Sequence, residues 1–386
     1  MSHRFATRAV RAGLNAEGGH QGVVAPVSVS ATYRRDDPGQ AGAFDYARTA
    51  HPSRALLEAA LADLEGAAGA CVTASGMAAI DLLLNDLANG ARVVCAHDCY
   101  GGTRRLFDAR ARQGRIEVVY ADASDPAALE AALASGAGLL FLETPSNPRL
   151  RVTDLAAASA LARKAGALVA VDNTVLTPAL QRPLEHGADI VVASVTKMLN
   201  GHSDMVGGML ACADAARHER LCWWANAAGL GSGAFDCFLA LRGLRTLPLR
   251  AKAQSAAALE LAERLSRAPG VARVDYPGLK THPGHAVAAR QQSGFGPLLS
   301  LELEGGTDRA VAFVKRLELF TLAQSLGGVE SLACIPATMT HAAMSAKARA
   351  EAGIADALVR LSVGVEDVED LWDDLEGALI ATAQNA

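Results

Sequence analysis

From about residue 52 to 242 the chain repeats one pattern: a short apolar run enters a polar or Gly/Pro-containing loop, and helical spacing follows. The runs are Arg92–His97, Glu117–Ala121, Leu139–Glu143, Leu168–Val171 and Ile190–Ala193. Their near-continuous apolar character fits strands buried on both faces rather than one. The helical stretches between them, such as Ser53–Glu65 ending at Gly66, would cover those faces. This predicts a mostly parallel α/β sheet, in which ligands bind beyond the carboxyl ends of the strands. The residues just after each run are therefore the first candidates for chemistry.

The pattern changes beyond about residue 243. A long Ala-rich helix is predicted over Leu249–Ser266, and strands at Val271–Tyr276, Leu298–Leu303 and Val359–Val363. Helices are predicted near 308–318 and 366–383, which reads as a smaller α+β domain. Residues 1–50 have little periodicity and read as an extended arm that must rest on something else, a neighbouring subunit being a suitable surface. The expected division is thus an arm over 1–50, an α/β domain over 51–242 and an α+β domain over 243–386. A chain of 386 residues also exceeds the ~250–300 that one core serves.

Apolar residues at 51% and charged residues at 20% describe a globular chain. A net charge of −5 without a basic run argues against a nucleic-acid partner. No stretch reaches the ~18 apolar residues of a membrane span. Met1–Val10 shows no apolar signal core, so a cytoplasmic location is expected. The seven cysteines are scattered without a CxxC pair, as reduced thiols would be. Cys95, His97 and Cys99 read as strand-end residues rather than metal ligands, because no second ligand pair stands at zinc spacing; no metal is expected.

At the strand ends, Val169–Val171 runs into Asp172–Asn173–Thr174, and Ile190–Ala193 into Ser194–Val195–Thr196–Lys197. One strand thus ends in a carboxylate, and a later one in two hydroxyls and a lysine. Pyridoxal 5'-phosphate (PLP) chemistry needs such a set. It takes a carboxylate to keep the pyridine nitrogen protonated, a lysine amine for the aldehyde, and hydroxyls and free N–H groups for the phosphate. Ser75–Gly76–Met77–Ala78 opens a helical segment that would offer those N–H groups, and Tyr100 could stack on the ring. Each residue alone has an ordinary reading: Asp172 as a cap, Lys197 as a solvated lysine, Ser75–Gly76 as a turn, Tyr100 as a half-buried aromatic. Their joint placement at strand ends and helix starts favours the chemical one.

At these residues the sequence resembles the Cys/Met-metabolism (transsulfuration) PLP-dependent enzymes, of aspartate-aminotransferase-like fold type I. The resemblance spans nearly the whole chain. It is carried by Asp45–Tyr46–Ala47–Arg48, His97–Asp98–Cys99–Tyr100–Gly101–Gly102 and Glu143–Thr144–Pro145–Ser146–Asn147–Pro148. It continues through Val171–Thr174, Ser194–Lys197, Leu199–Asp204, Ser325–Ser331 and Met339–Ala342. The resemblance implies that Lys197 carries PLP and shuttles protons, that Asp172 pairs with the pyridine nitrogen, and that Tyr100 stacks on the ring. It assigns Gly76, Met77, Ser194 and Thr196 to the phosphate. Tyr46 and Arg48 would reach the phosphate of a neighbouring subunit, implying a homotetramer built as a dimer of dimers with shared active sites. Arg360 matches the α-carboxylate anchor, which suits a bidentate clamp, although an arginine with its stem in an apolar run can also snorkel. Asn147 and Ser325 match positions around that carboxylate. Arg105 matches a position near the substrate's distal end, where it would meet a succinyl carboxylate or stand as a surface arginine.

Within the family, Trp223–Asn226 and Gly233–Asp236 look most like the bacterial cystathionine γ-synthases. The implied reaction is γ-replacement, joining an O-succinyl- or O-acetylhomoserine to cysteine to give cystathionine, in methionine biosynthesis. Cystathionine γ-lyase and O-acylhomoserine sulfhydrylase chemistry are the alternatives within the family; a PLP-fold binding module without catalysis is the alternative outside it. Three departures stand out: Met198 where the family has Tyr after the lysine, Ala50–His51–Pro52–Ser53–Arg54 for Gly-Asn-Pro-Thr-Arg, and Gln324 for Glu. The last removes a carboxylate where family members choose between β- and γ-chemistry.

Overall fold

A computed structural model describes residues 3–14, 22–40, 42–342 and 344–383. Parts of the expected arm, residues 1, 2, 15–21 and 41, lie outside the described residues. The strands in chain order are β1 (Gly69–Thr73), β2 (Ala91–Ala96), β3 (Ile116–Ala121), β4 (Leu139–Glu143), β5 (Leu168–Asp172) and β6 (Ile190–Ser194). They continue as β7 (Gly208–Cys212), β8 (Val271–Asp275), β9 (Leu298–Leu303), β10 (Thr321–Leu322), β11 (Leu332–Cys334) and β12 (Leu358–Ser362). The chain divides into two compact units, Met1–Ala88 with Asp189–Pro248, and Asn89–Ala188 with Leu249–Ala386.

In the first unit the helix Pro52–Glu65 begins where the sequence places it. His51 caps it, accepting a hydrogen bond from Arg54 N at 3.2 Å, and Pro52 opens the first turn. It ends at Gly66, whose φ of 72° is the left-handed conformation that glycine enters without steric cost. Leu57, Leu61 and Leu64 form its buried face, and each such burial contributes roughly 1.5–3 kcal/mol. Strand β7 lies between β1 and β6 and is antiparallel to both. Neither β1 nor β7 is anticipated from sequence. Each opens on a glycine, which weakens the strand signal.

In the second unit β5, β4, β2 and β3 pair in that order and all in parallel, as expected. All five residues of β4 are buried. The helices Pro126–Leu133 and Leu155–Lys164 add Leu129, Leu133, Leu155, Ala158 and Ala162 to the core beside them. Asp125 and Asp154 cap these helices through their side chains. A second sheet in the same unit has the order β10-β11-β12-β9-β8 and is antiparallel except between β10 and β11. The mostly parallel α/β character therefore holds, with β7 as the exception in the first unit.

Candidate active site

In the first unit the hydroxyl and glycine residues converge on Gly208. Within β7 this residue is in register with Thr73 on one side and Ser194 on the other. A Cβ there would collide with the Ser75 carbonyl and lie 2.7 Å from Gly76 Cα. Gly76 in turn approaches Ser194 so closely that a Cβ would stand 3.0 Å from the serine Cβ. Two glycines thus bring the start of the helix Gly76–Leu83 against the end of β6. Ser75 caps that helix, its Oγ accepting from Ala78 N at 3.1 Å. The first-turn N–H groups of Gly76 and Met77 make no hydrogen bond among the described residues, which is the arrangement that attracts an anion.

Beyond β6 the chain makes a tight π-helical turn over Val195–Leu199, in which Lys197 departs from helical dihedrals (φ −86°, ψ −131°). Thr196 is fixed to the loop before β7: its Oγ1 accepts from Gly207 N at 2.9 Å and donates to Gly207 O at 3.2 Å. Tyr46 and Arg48 are exposed on the segment before the first long helix. Arg48 Nη1 donates to Asn226 O and Oδ1, both at 2.8 Å.

In the second unit the predicted residues are gathered by buried charge. Asp172 ends β5, and its Oδ1 accepts from Thr174 N at 3.0 Å and from Thr174 Oγ1 at 2.5 Å. Its Oδ2 accepts no hydrogen bond among the described residues. Burial raises the Asp172 pKa, and the two bonds from Thr174 oppose the rise. Glu143, which ends β4 in register with Asp172, is also raised, first by burial and then by the Asp172 charge. Its two oxygens accept from Tyr100 N and Asn147 N, both at 2.8 Å.

Glu143 therefore positions both the aromatic ring and the amide, a role that sequence reading does not assign. The signal is there: a glutamate closes an otherwise apolar strand, where ligands meet such sheets. Gly208 escapes sequence reading for the same reason that its strand does.

Arg360, on β12, is 2% exposed. It donates from Nη1 to Asn147 Oδ1 at 3.0 Å and from Nη2 to Ser325 O at 2.6 Å. Its Nε is buried without a partner, and it forms no ion pair among the described residues. Ser325 is held at φ 109°, a conformation that strains a non-glycine residue. Tyr100 is partly exposed and meets His341 edge-on at a centroid distance of 6.4 Å. Burial, then the Arg360 charge, lowers the His341 pKa to about 4, so this ring stays neutral. Gly101 lets the chain after Tyr100 approach Thr340, where a Cβ would stand 3.0 Å from the carbonyl oxygen. Arg105 is exposed on the helix Gly101–Arg112 and is not drawn to these residues.

The sequence profile of the Cys/Met metabolism PLP-dependent enzymes matches residues 6–380. The chain belongs to this family. The chain is accordingly a PLP-dependent enzyme of Cys/Met metabolism. It is 48% identical over 382 residues to cystathionine gamma-synthase of Escherichia coli K12, covering 99% of each chain. It is 42% identical to cystathionine gamma-lyase of Mus musculus over 98% of this chain and 95% of that one. A crystal structure of cystathionine gamma synthase from Xanthomonas oryzae pv. oryzae in complex with cystathionine superposes with a TM-score of 0.99. The identity is 51%, and all of both chains is covered. These structures share the expected fold type I.

The residues fit the cofactor of this Cys/Met family. Gly76 and Met77 offer N–H groups to an anion, and Asp172 keeps a free carboxylate oxygen for a cationic ring nitrogen. Arg360 has a free donor for a carboxylate. No helix among the described residues is long and apolar enough to cross a membrane.

Proposed function

We propose that the chain catalyses γ-replacement, converting O-succinylhomoserine, or the O-acetyl ester, and cysteine to cystathionine and the free acid. The observation that carries the amino-acid part is Arg360: a buried guanidinium, braced by Asn147 and Ser325, with Nε free and no carboxylate among the described residues to neutralise it. A buried charge of this kind is costly unless a ligand supplies the counter-charge. An α-carboxylate does so with the planar geometry that the guanidinium fork matches. The γ-replacement part rests on the 48% identity to the Escherichia coli synthase.

In this reading PLP supplies an electron sink for the charge that develops at the substrate's Cα. Gly76, Met77, Ser194 and Thr196 hold its phosphate, Asp172 Oδ2 keeps the ring nitrogen protonated, and Tyr100 stacks on the ring. Lys197 carries the cofactor and takes the Cα proton; a second proton leaves Cβ before the acyl group departs, and protons return to Cβ and Cα once the sulfur has added at Cγ. Arg360, Asn147 and Ser325 hold the α-carboxylate. The carboxylic acid leaves from Cγ, and the sulfur of cysteine forms the new bond there. Arg105, an exposed cation, is available to the distal carboxylate of a succinyl ester.

The assembly in this proposal is a homotetramer in the cytoplasm, with Tyr46 and Arg48 completing a neighbour's phosphate site. Their exposure on a segment with little core supports it, and all seven cysteines are free thiols. Residues 1–50 act as an arm, 51–242 hold PLP, and 243–386 form a domain of their own. A hydrophobic cluster with every buried member between Ala258 and Leu379 supports the last.

Purified protein given O-succinylhomoserine and cysteine is expected to form cystathionine rapidly by mass spectrometry, with little breakdown of cystathionine offered alone. One observation favours a second reading, γ-elimination from cystathionine. Gln324 is exposed and uncharged where the family has a glutamate. Fast release of cysteine and 2-oxobutanoate without net synthesis would establish that reading in place of the first. An absorbance band from bound PLP that vanishes in Lys197→Ala tests the cofactor assignment apart from the reaction.

A further inference from the structure

A cluster outside the PLP residues brings together two thiols, an imidazole and a carboxyl. Cys222 lies on the helix Ala215–Ala228, one turn after His218, and its Sγ is 3.2 Å from His218 Nε2. The same nitrogen is 3.1 Å from Ala70 O. That carbonyl can only accept, so Nε2 carries a hydrogen shared between the carbonyl and the sulfur. The ring fits because residue 69 is glycine; a Cβ there would lie 2.6 Å from His218 Cγ. Cys71 is almost fully buried on β1, two residues after Gly69 and so on the same face of the strand, the face that His218 packs against.

Glu58 faces the group from the helix Pro52–Glu65, its Oε1 accepting from Val72 N at 3.0 Å, with Arg54 Nε 3.6 Å away. The charges follow from these contacts. The Cys71 thiol, then the bond from His218, lower the Cys222 pKa, and the bond to Cys222 raises that of His218. Cys222, then burial, raises the Cys71 pKa, so the proton of the pair stays on Cys71. Burial holds the Glu58 pKa at about 7, so its charge is blunted at neutral pH and below. Cys222 itself is half-buried on a helix whose next residue, Trp223, is 62% exposed.

We propose that Cys222 is a thiolate reactive toward hydrogen peroxide and that Cys71 is its resolving thiol, giving this unit a reversible dithiol–disulfide site. The Cys222 thiolate attacks one peroxide oxygen and the O–O bond breaks, leaving a sulfenic acid and a hydroxide that takes a proton to become water. The Cys71 sulfur, giving up its proton, then attacks the Cys222 sulfur and expels the hydroxyl as a second water. Two thiols are oxidised by two electrons and one peroxide is reduced to two waters. Two equivalents of a small thiol reverse the step by exchange. The bond formed would fasten the helix Ala215–Ala228 to β1.

The test uses intact, PLP-loaded enzyme. Limited iodoacetamide at pH 6, read by peptide mass spectrometry, is expected to label Cys222 at least about tenfold faster than any other cysteine, and His218→Gln is expected to abolish that advantage. Peroxide followed by a non-reducing digest is expected to give a peptide pair joined through Cys71 and Cys222. In Cys71→Ser the same treatment should leave a sulfenic acid on Cys222 that dimedone traps. Cys222 labelled no faster than the buried cysteines, or no joined peptide in the wild-type digest, would overturn the proposal. The wild-type measurements need no variant to fold.

Discussion

In the unit that carries Lys197, the residues assigned to PLP are placed by backbone: Gly208 and Gly76 remove side chains so that main chains can touch. In the unit that carries Arg360, the work is done by buried charge, with Glu143 fixing Tyr100 and Asn147 and Asn147 bracing Arg360. The difference matches the ligand groups each is proposed to serve. A phosphate is met by N–H groups whose positions depend on how closely two backbones approach. A carboxylate and a ring nitrogen call for formal charges in low dielectric, where geometry and protonation are linked. The first arrangement should therefore fail on added volume, and the second on changed charge.

The largest effect is expected from Gly208→Ala. The added methyl meets the Ser75 carbonyl and Gly76 Cα, both backbone, and no rotamer change can relieve it. Bound PLP, followed by absorbance after dialysis, should fall by more than about tenfold in affinity, consistent with the ~1–3 kcal/mol that overpacking costs. Retention of PLP at wild-type affinity would show that the close approach at β7 does not shape the phosphate site.

A charge-conserving change should break the other side. Arg360→Lys keeps the positive charge but loses the fork that reaches Asn147, Ser325 and a carboxylate together. We expect kcat/KM for the amino-acid substrate to drop about tenfold, through KM above all, with PLP binding unchanged. Equal loss of PLP would mean that Arg360 supports the cofactor instead of the substrate.

Most of this division is legible in the sequence. Asp172, Ser194, Thr196 and Lys197 follow apolar runs whose pattern marks buried parallel strands, and the strand-end rule points straight at them. Gly208 is not legible, because β7 opens on it and glycine weakens the strand signal, and its importance lies in what its missing side chain leaves space for. Arg360 is legible only through family resemblance. Nothing along the sequence shows that Asn147 and Ser325 converge on it across intervals of 213 and 35 residues. Glu143 is visible at its strand end, but its partners lie on two separate loops.

The smallest effect, and the one that sharpens the comparison, concerns the protonation of Glu143. Its pKa is raised in the folded protein by burial and by Asp172 across the strand pair. Below the ordinary carboxyl range both folded and unfolded chains hold this proton. As pH rises past that range the unfolded chain releases it first, so the folded state loses stability until Glu143 also ionises. The PLP-free protein should thus melt at lower temperature as pH rises from about 4.5 upward. Asp172, Glu58 and Asp275, also raised by burial, add to the slope, so the useful quantity is the difference between wild type and Glu143→Gln. The variant should show a shallower slope by about one proton, set against a pH-independent loss of ~1–3 kcal/mol because an amide can accept from only one of the two N–H groups. Parallel melting curves, offset but equal in slope, would mean that Glu143 is already ionised in the folded chain. The carboxylate pair at the ends of β4 and β5 would then carry two negative charges ready for the cationic ring, instead of one carboxylate beside a neutral positioning acid.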